Sequence, residues 1–208
     1  MQRRAFLAGC AGLLTASSFP ALSADGFGLV EGVEYKLVPQ PQPTIPHPKK
    51  VVEVFGYSCP HCYHLEPSLN EWLKDKPEDI YFERMPVVFN SPNWIFMARV
   101  FFTAQELGVI EQSHTPFFDA LHKDKKELFT VEAIAKFFTQ FGVKESDFIN
   151  NFKSFKVDQL VRKAGKLTRA YGVEGVPAII VNGKYLTDVG MNGSRDKMWT
   201  TVNTLTNQ

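Results

Sequence analysis

Cys59 and Cys62, separated by Pro60 and His61, put the most reactive side chains of this chain into the least space. A Cys-x-x-Cys pair can hold a metal, close a small structural loop or exchange electrons with other thiols. Structural zinc needs four ligands and usually a second cysteine pair, whereas here only His47, His61, His64, His114 and His122 could complete the set. A structural disulfide across so short a loop restrains little unfolded-chain entropy. Thiol–disulfide exchange makes fuller use of the surroundings. Lys50–Tyr57 (KVVEVFGY) reads as a buried strand and Pro60–Lys76 as a helix, so Cys59 falls at the helix N-terminus. Unsatisfied backbone N–H groups and the positive end of the helix dipole stabilise a thiolate there. His61 adds a donor or a positive charge, Pro60 removes a backbone donor and stiffens the loop, and Cys62 is the more buried thiol, placed to resolve a mixed disulfide. A stabilised thiolate exists only in the reduced protein. Each tenfold gain in acidity that takes Cys59 below neutral is therefore worth about 1.4 kcal/mol, or roughly 30 mV towards an oxidant for a two-electron couple.

Glu53 interrupts the apolar strand on the same face as Val51 and Phe55. It reads either as an edge position or as a buried carboxylate of raised pKa that relays a proton near Cys62. Glu66 and Arg84 are candidate charged neighbours, read more simply as solvated surface groups.

The elements that must position these groups follow from periodicity and punctuation. Val33–Val38 is a weak strand, the proline-dense stretch 39–48 an extended, solvated connector, and Ile80–Phe89 a further strand. Pro67 is expected to kink the first helix. Ser91-Pro92 opens a helix to about Leu107, Thr130–Phe141 forms another, and Val157, Leu160, Val161, Ala164, Leu167 and Tyr171 mark a third, each followed by glycine. Thirteen of the 18 phenylalanines lie between Phe89 and Phe155, which points to a helical unit with its own core. Ala178–Asn182 and Lys184–Val189 flank Gly183 as a hairpin, and Ser194 caps a last helix carrying Met198, Val202 and Leu205. The expectation is an α/β chain in which residues 24–90 and 172–208 share a sheet and a helical domain, 91–171, is inserted between them.

Composition narrows the function classes. With 208 residues, 44% hydrophobic and 22% charged, the chain is neither disordered nor a multi-span membrane protein. A net charge of +1 offers no basic excess for nucleic acid. Arg3 and Arg4, the apolar run Ala5–Ala16 and Ala21-Leu22-Ser23 read as an export signal, residues 1–23, cut before Ala24. Arg3-Arg4-Ala5-Phe6-Leu7 also resembles a twin-arginine signal, and Leu7-Ala8-Gly9-Cys10 a lipoprotein box whose preceding apolar run is short. Removing 1–23 discards Cys10 and leaves 21 basic against 22 acidic groups, a net charge of −1. The remaining pair would work where disulfides persist.

Val54-Phe-Gly-Tyr-Ser-Cys-Pro-His-Cys-Tyr-His-Leu-Glu66, together with Gly175-Val176-Pro177, resembles the DsbA family of periplasmic thiol:disulfide oxidoreductases over nearly all of the mature chain. The resemblance implies a thioredoxin fold with a helical domain inserted in the middle of the chain. It implies Cys59 as nucleophile, Cys62 as resolving thiol, an acid at the place of Glu53, and a substrate-binding cis-proline loop at Val176-Pro177. The acidic cysteine and strongly oxidising disulfide of that family are carried over with it. A substrate thiol would attack the disulfide and Cys62 would then resolve the mixed disulfide on Cys59. Implied partners are reduced exported proteins and a quinone-linked, DsbB-like membrane oxidase, for a periplasmic monomer with no metal or organic cofactor. The chain departs from the family at Pro86-Val87-Val88-Phe89, where better-known members often carry a histidine. A reductase or isomerase of the same fold, or a peptide-binding holdase with an incidental disulfide, are the alternatives. The roughly 30 residues before the first core strand are too few for the dimerisation domain such isomerases usually carry.

Overall fold

A computed structural model describes residues 28–208; the export-signal reading, with Cys10 and the cut before Ala24, lies outside the described residues. The β-branched run becomes β2 (Lys50–Phe55), and β3 (Tyr81–Pro86) pairs with it in parallel, with Glu53 opposite Arg84. The C-terminal hairpin, β4 (Ala178–Val181) and β5 (Tyr185–Thr187), adds antiparallel strands on the other side of β2. The weak first strand shrinks to β1 (Lys36–Leu37) at the sheet edge, giving the order β1-β5-β4-β2-β3. β2 is therefore internal, not an edge strand.

The two faces of the sheet follow strand alternation. Val51, Ile179 and Val181 pack on α1 (Pro60–Asp75) and the C-terminal helix α8 (Arg195–Leu205), where Trp72 and Trp199 stack with centroids 4.9 Å apart. Val52, Val54 and Ile180 face the helical block instead. Phe55, expected on the face of Val51, closes the strand with its ring against Phe101 and Phe118 of that block. α1 runs through Pro67 without interruption.

Between β3 and β4 come α2 (Pro92–Glu106), α3 (Ile110–His122), α4 (Val131–Phe138), α5 (Glu145–Phe152) and α6 (Phe155–Ala170). The phenylalanine concentration is the interior of this insertion: Phe117, Phe118, Phe138 and Phe148 are fully buried, and Phe138 stacks on Phe148. Ser91 is the N-cap of α2 as expected, but its side chain makes no capping bond, whereas Thr130 and Ser154 accept from Ala133 N and Val157 N. A short α7 (Val189–Asn192), capped by Asp188, precedes α8. No helix among the described residues is long and apolar enough to cross a membrane.

The hairpin turn shows why glycine is required at one position. Asn182 and Gly183 both have positive φ, 52° and 63°, and a Cβ on Gly183 would lie 2.2 Å from the carbonyl oxygen of Gln42. Gln42 N in turn donates to Gly183 O, so the proline-dense connector is tied down at this turn. Gly183→Ala is expected to cost about 1–3 kcal/mol in denaturant unfolding, the range for a strained backbone position; an unchanged midpoint would mean that this approach is not part of the folded state.

Candidate active site

The turn leaving β2 is drawn tight before the first helix. Gly56 has room for no side chain, since a Cβ there would meet the Trp94 ring at 2.2 Å, and Gly56 O accepts from Cys59 N at 2.9 Å. Cys59 is the N-cap of α1, and its Sγ accepts from Cys62 N at 3.3 Å, the bond a serine or aspartate oxygen usually accepts. Both thiols are free; Cys59 is 7% exposed and Cys62 not at all. Their environments drive them apart. The hydrogen bond from the Cys62 thiol, then the backbone N–H groups of Cys62 and His61 and the charge of His61, outweigh burial and bring Cys59 down to about 6. Burial first, then the hydrogen bond and negative charge of Cys59, push Cys62 far up. Pro60 and His61 are exposed beside the pair.

Val176-Pro177, which immediately precedes β4, is a cis peptide. Cys59 Sγ, as a thiol, donates to Val176 O at 3.3 Å. A groove of about 460 Å³ runs beside this contact, with His61, His64, Val176, Pro177, Val189 and Arg195 in its lining. Among the described residues no three His, Cys, Asp or Glu side chains are grouped to hold a metal ion.

Glu53 is fully buried, Glu66 and His114 nearly so, while the Arg84 side chain remains partly exposed. Arg84 Nε lies 3.2 Å from Glu53 Oε2 but is not aimed for a hydrogen bond, so neither Glu53 oxygen has one. Arg84 Nη2 reaches Glu66 Oε2 at 3.4 Å, and His114 Nε2 lies 3.4 Å from Glu66 Oε1. Burial and then the repulsion of Glu66 raise Glu53 to about 8 against the pull of Arg84. Burial acts on Glu66 too, but the His114 bond and the Arg84 charge overcome it and hold Glu66 below the usual carboxylate range. Glu66 is thus no solvated surface group: at 4% exposure it shares with Glu53 a single guanidinium.

Two histidines that the sequence offered only as stray zinc ligands tie the insertion to the site. His122 Nε2 donates to the Tyr57 carbonyl at 2.7 Å, and its ring stacks on Tyr63, whose hydroxyl donates to Asp119 at 2.8 Å. His114 meets the Tyr57 hydroxyl at 2.9 Å. Both stand on α3, a helix the sequence pattern did not disclose because Pro116 lies inside it. The i, i+4 pair Phe118 and His122 was the available signal, since both turn to the active-site tyrosines.

The model of the DSBA-like thioredoxin domain family matches residues 50–198. A thiol:disulfide interchange protein DsbA of Azotobacter vinelandii is 44% identical over 144 residues, covering 69% of this chain and 67% of that protein. Its counterpart in Pseudomonas aeruginosa is 36% identical over 186 residues, covering 89% and 88%. A crystal structure of a variant of Pseudomonas aeruginosa DsbA superposes with a TM-score of 0.82 at 36% identity, over 86% of this chain and 97% of that one. The oxidoreductase DsbA from Xylella fastidiosa superposes with a TM-score of 0.79 at 29% identity, over 86% and 96%.

Titration of the reduced pair by thiolate absorbance is expected to show one midpoint near 6, from Cys59. The reduction potential should then fall by about 59 mV per pH below that midpoint and by roughly 30 mV above it, as proton uptake per two electrons drops from two to one. A single slope through the neutral range would remove the acidic Cys59. Glu53 carries the opposite linkage. Its folded pKa is raised, so the stability it gives is full below its unfolded value of 4.5 and is lost as pH rises towards about 8. Glu53→Gln should flatten that slope and exceed the wild type at pH 7 by on the order of 3 kcal/mol in chemical unfolding; parallel pH–stability curves would show that Glu53 is not buried as a neutral acid.

Proposed function

The chain belongs to the DsbA family of thiol:disulfide interchange proteins, and from that premise we propose that it donates the Cys59–Cys62 disulfide to reduced proteins newly exported to the periplasm. It is a disulfide oxidoreductase with a thioredoxin-like fold carrying a helical insertion. The observation that supports the donor direction is the asymmetry of the pair: Cys59 is favoured as a thiolate at a helix N-terminus, while Cys62 is held as a thiol in the core. Against an ordinary thiol, the acidity of Cys59 favours the reduced pair at pH 7 by roughly 30 mV.

Electron balance orders the steps. A substrate thiolate attacks Cys59 Sγ; the S–S bond breaks, and Cys62 leaves with the electron pair and takes up a proton. Glu53, neutral at pH 7 and close enough for its charge to act on Cys62, is the acid suited to supply it. A second substrate thiolate then attacks the substrate sulfur of the mixed disulfide and expels Cys59 as a thiolate. Attack by Cys62 on that mixed disulfide would return the substrate reduced, so its resolving role belongs to recharging. There Cys59 attacks the disulfide of a quinone-linked, DsbB-like membrane protein, and Cys62 closes the pair while Glu53 takes the proton back. Val176 O beside Cys59 offers an acceptor to a backbone N–H of an extended substrate, a strand-addition contact that Pro177 positions. The reading needs no metal or organic cofactor, and the protein acts as a monomer after removal of residues 1–23.

The deciding measurement is the reduction potential of the mature pair in glutathione buffers. A value above about −180 mV is expected, and one near the roughly −270 mV of thioredoxin would make the protein a reductase. Cys62→Ser, first charged as a Cys59–glutathione mixed disulfide with oxidised glutathione, should exchange glutathione for the thiol of a reduced exported protein and yield a Cys59–substrate mixed disulfide, whereas Cys59→Ser should form none. A Cys59→Ser protein that still fully prevented aggregation would favour the holdase instead.

A further inference from the structure

The charges around Glu53 do not end at Arg84. They continue through Glu66 to His114 and from His114 to Tyr57, each step within hydrogen-bonding or ion-pair distance. The cluster holds one permanent cation and two carboxylates, and taking both carboxylates as anions out of water leaves one charge without a partner. One of them must keep a proton, and geometry selects which.

Glu66 is contacted by Arg84 Nη2 at one oxygen and by His114 Nε2 at the other, both at 3.4 Å. With Glu66 as the anion, it can only accept, so His114 would carry its hydrogen on Nε2. Nδ1 would then be bare and accept from the Tyr57 hydroxyl 2.9 Å away, so that tautomer sets the direction of both bonds. Glu53 has no such support: both of its oxygens lack a hydrogen bond, and Arg84 Nε faces it off-axis. The remaining charges bearing on these groups are Cys59 on Glu53 and Glu111 on His114.

We propose that Tyr57 and His114 are positioning residues for thiol exchange: by donating through His114 to Glu66 they fix Glu66 as the anion, so the one mobile proton of the cluster stays on Glu53. The assignment builds on the reading of Glu53 as proton relay and adds what sets its readiness. Burial keeps His114 in the neutral form that a one-hydrogen donor requires. His114 and Arg84 also line a cleft of about 590 Å³ that shares no lining residue with the groove beside Cys59. The cluster therefore meets the outside at a cleft separate from that groove. α3, a helix of the insertion, thereby reaches into the chemistry of the pair without touching either sulfur.

Loss of the His114 donor should let Glu66 take the proton, relieve its repulsion of Glu53 and leave Arg84 to Glu53. The test is infrared titration, in the reduced protein, of the protonated-carboxyl band that Glu53→Gln abolishes. In wild type and in His114→Gln, whose amide can both donate to Glu66 and accept from Tyr57, the band should titrate near 8. In His114→Phe the proton affinity of Glu53 should fall by about tenfold or more, with a smaller fall in Tyr57→Phe. An unchanged midpoint in a folded His114→Phe, or no rescue by glutamine, overturns the proposal. If His114→Phe does not fold, Tyr57→Phe decides alone, a downward shift supporting the arm and an unmoved midpoint overturning it. The relay reading has its own control: a pH–rate profile of thiol exchange unchanged by Glu53→Gln would remove the relay, while the infrared midpoints would still decide what Tyr57 and His114 do.

Discussion

A sulfur atom caps the helix that follows β2, and the chemistry of the molecule rests on that substitution. The first N–H groups of any helix need an acceptor, and an oxygen usually provides it. Here Cys59 Sγ accepts from Cys62 N, so the donors that need a partner are also those that hold a thiolate. When the pair is oxidised the anion is gone and these donors face a neutral sulfur. The helix end thus favours the reduced state alone, and the free energy of a local capping contact becomes a redox bias.

Placing that sulfur against a peptide substrate depends on strand register. Ala178 of β4 stands opposite Val54 of β2 in an antiparallel pair, so the residues just before β4 come level with those just after β2. Val176 and Pro177 therefore arrive beside Cys59 although more than a hundred residues of chain lie between them, most of them in the helical insertion. An insertion of that size is tolerated because it leaves after β3 and returns before β4 without entering the sheet. It is also held to the site directly, since His122 donates to the carbonyl of Tyr57 on the active-site turn.

What could be read from residue order was whatever local chemistry dictates. The β-branched run of β2, Pro60 at the start of α1, and Asn182-Gly183 with both φ values positive each appear where periodicity and turn chemistry put them. Cys59 and Cys62 were legible because their spacing and setting carry the function. Less visible was anything set by tertiary partners. α3 hides behind Pro116, and α5 has no side-chain cap to announce it. Glu66 looks like a solvated helix residue until Arg84, brought across from Glu53 by the parallel register of β3, and His114 close over it. The buried fate of Glu53 follows from β2 being internal, which depends on β4 joining from the far end of the chain.

A carboxylate with no hydrogen bond to either oxygen is a costly thing to keep in a core. Strand alternation sets its place. Glu53 shares with Val51 the sheet face on which α1 packs, and the same helix carries the fully buried Cys62. An acid at the surface would keep an ordinary pKa and be ionised at neutral pH, with no proton to give. The burial that destabilises the ionised form of Glu53 is therefore the same physical term that keeps the acid charged with its proton at the pH where the thiols react. If Glu53 relays the proton as proposed, stability and readiness are set against each other at one residue, and its unsatisfied oxygens are the stability it forgoes.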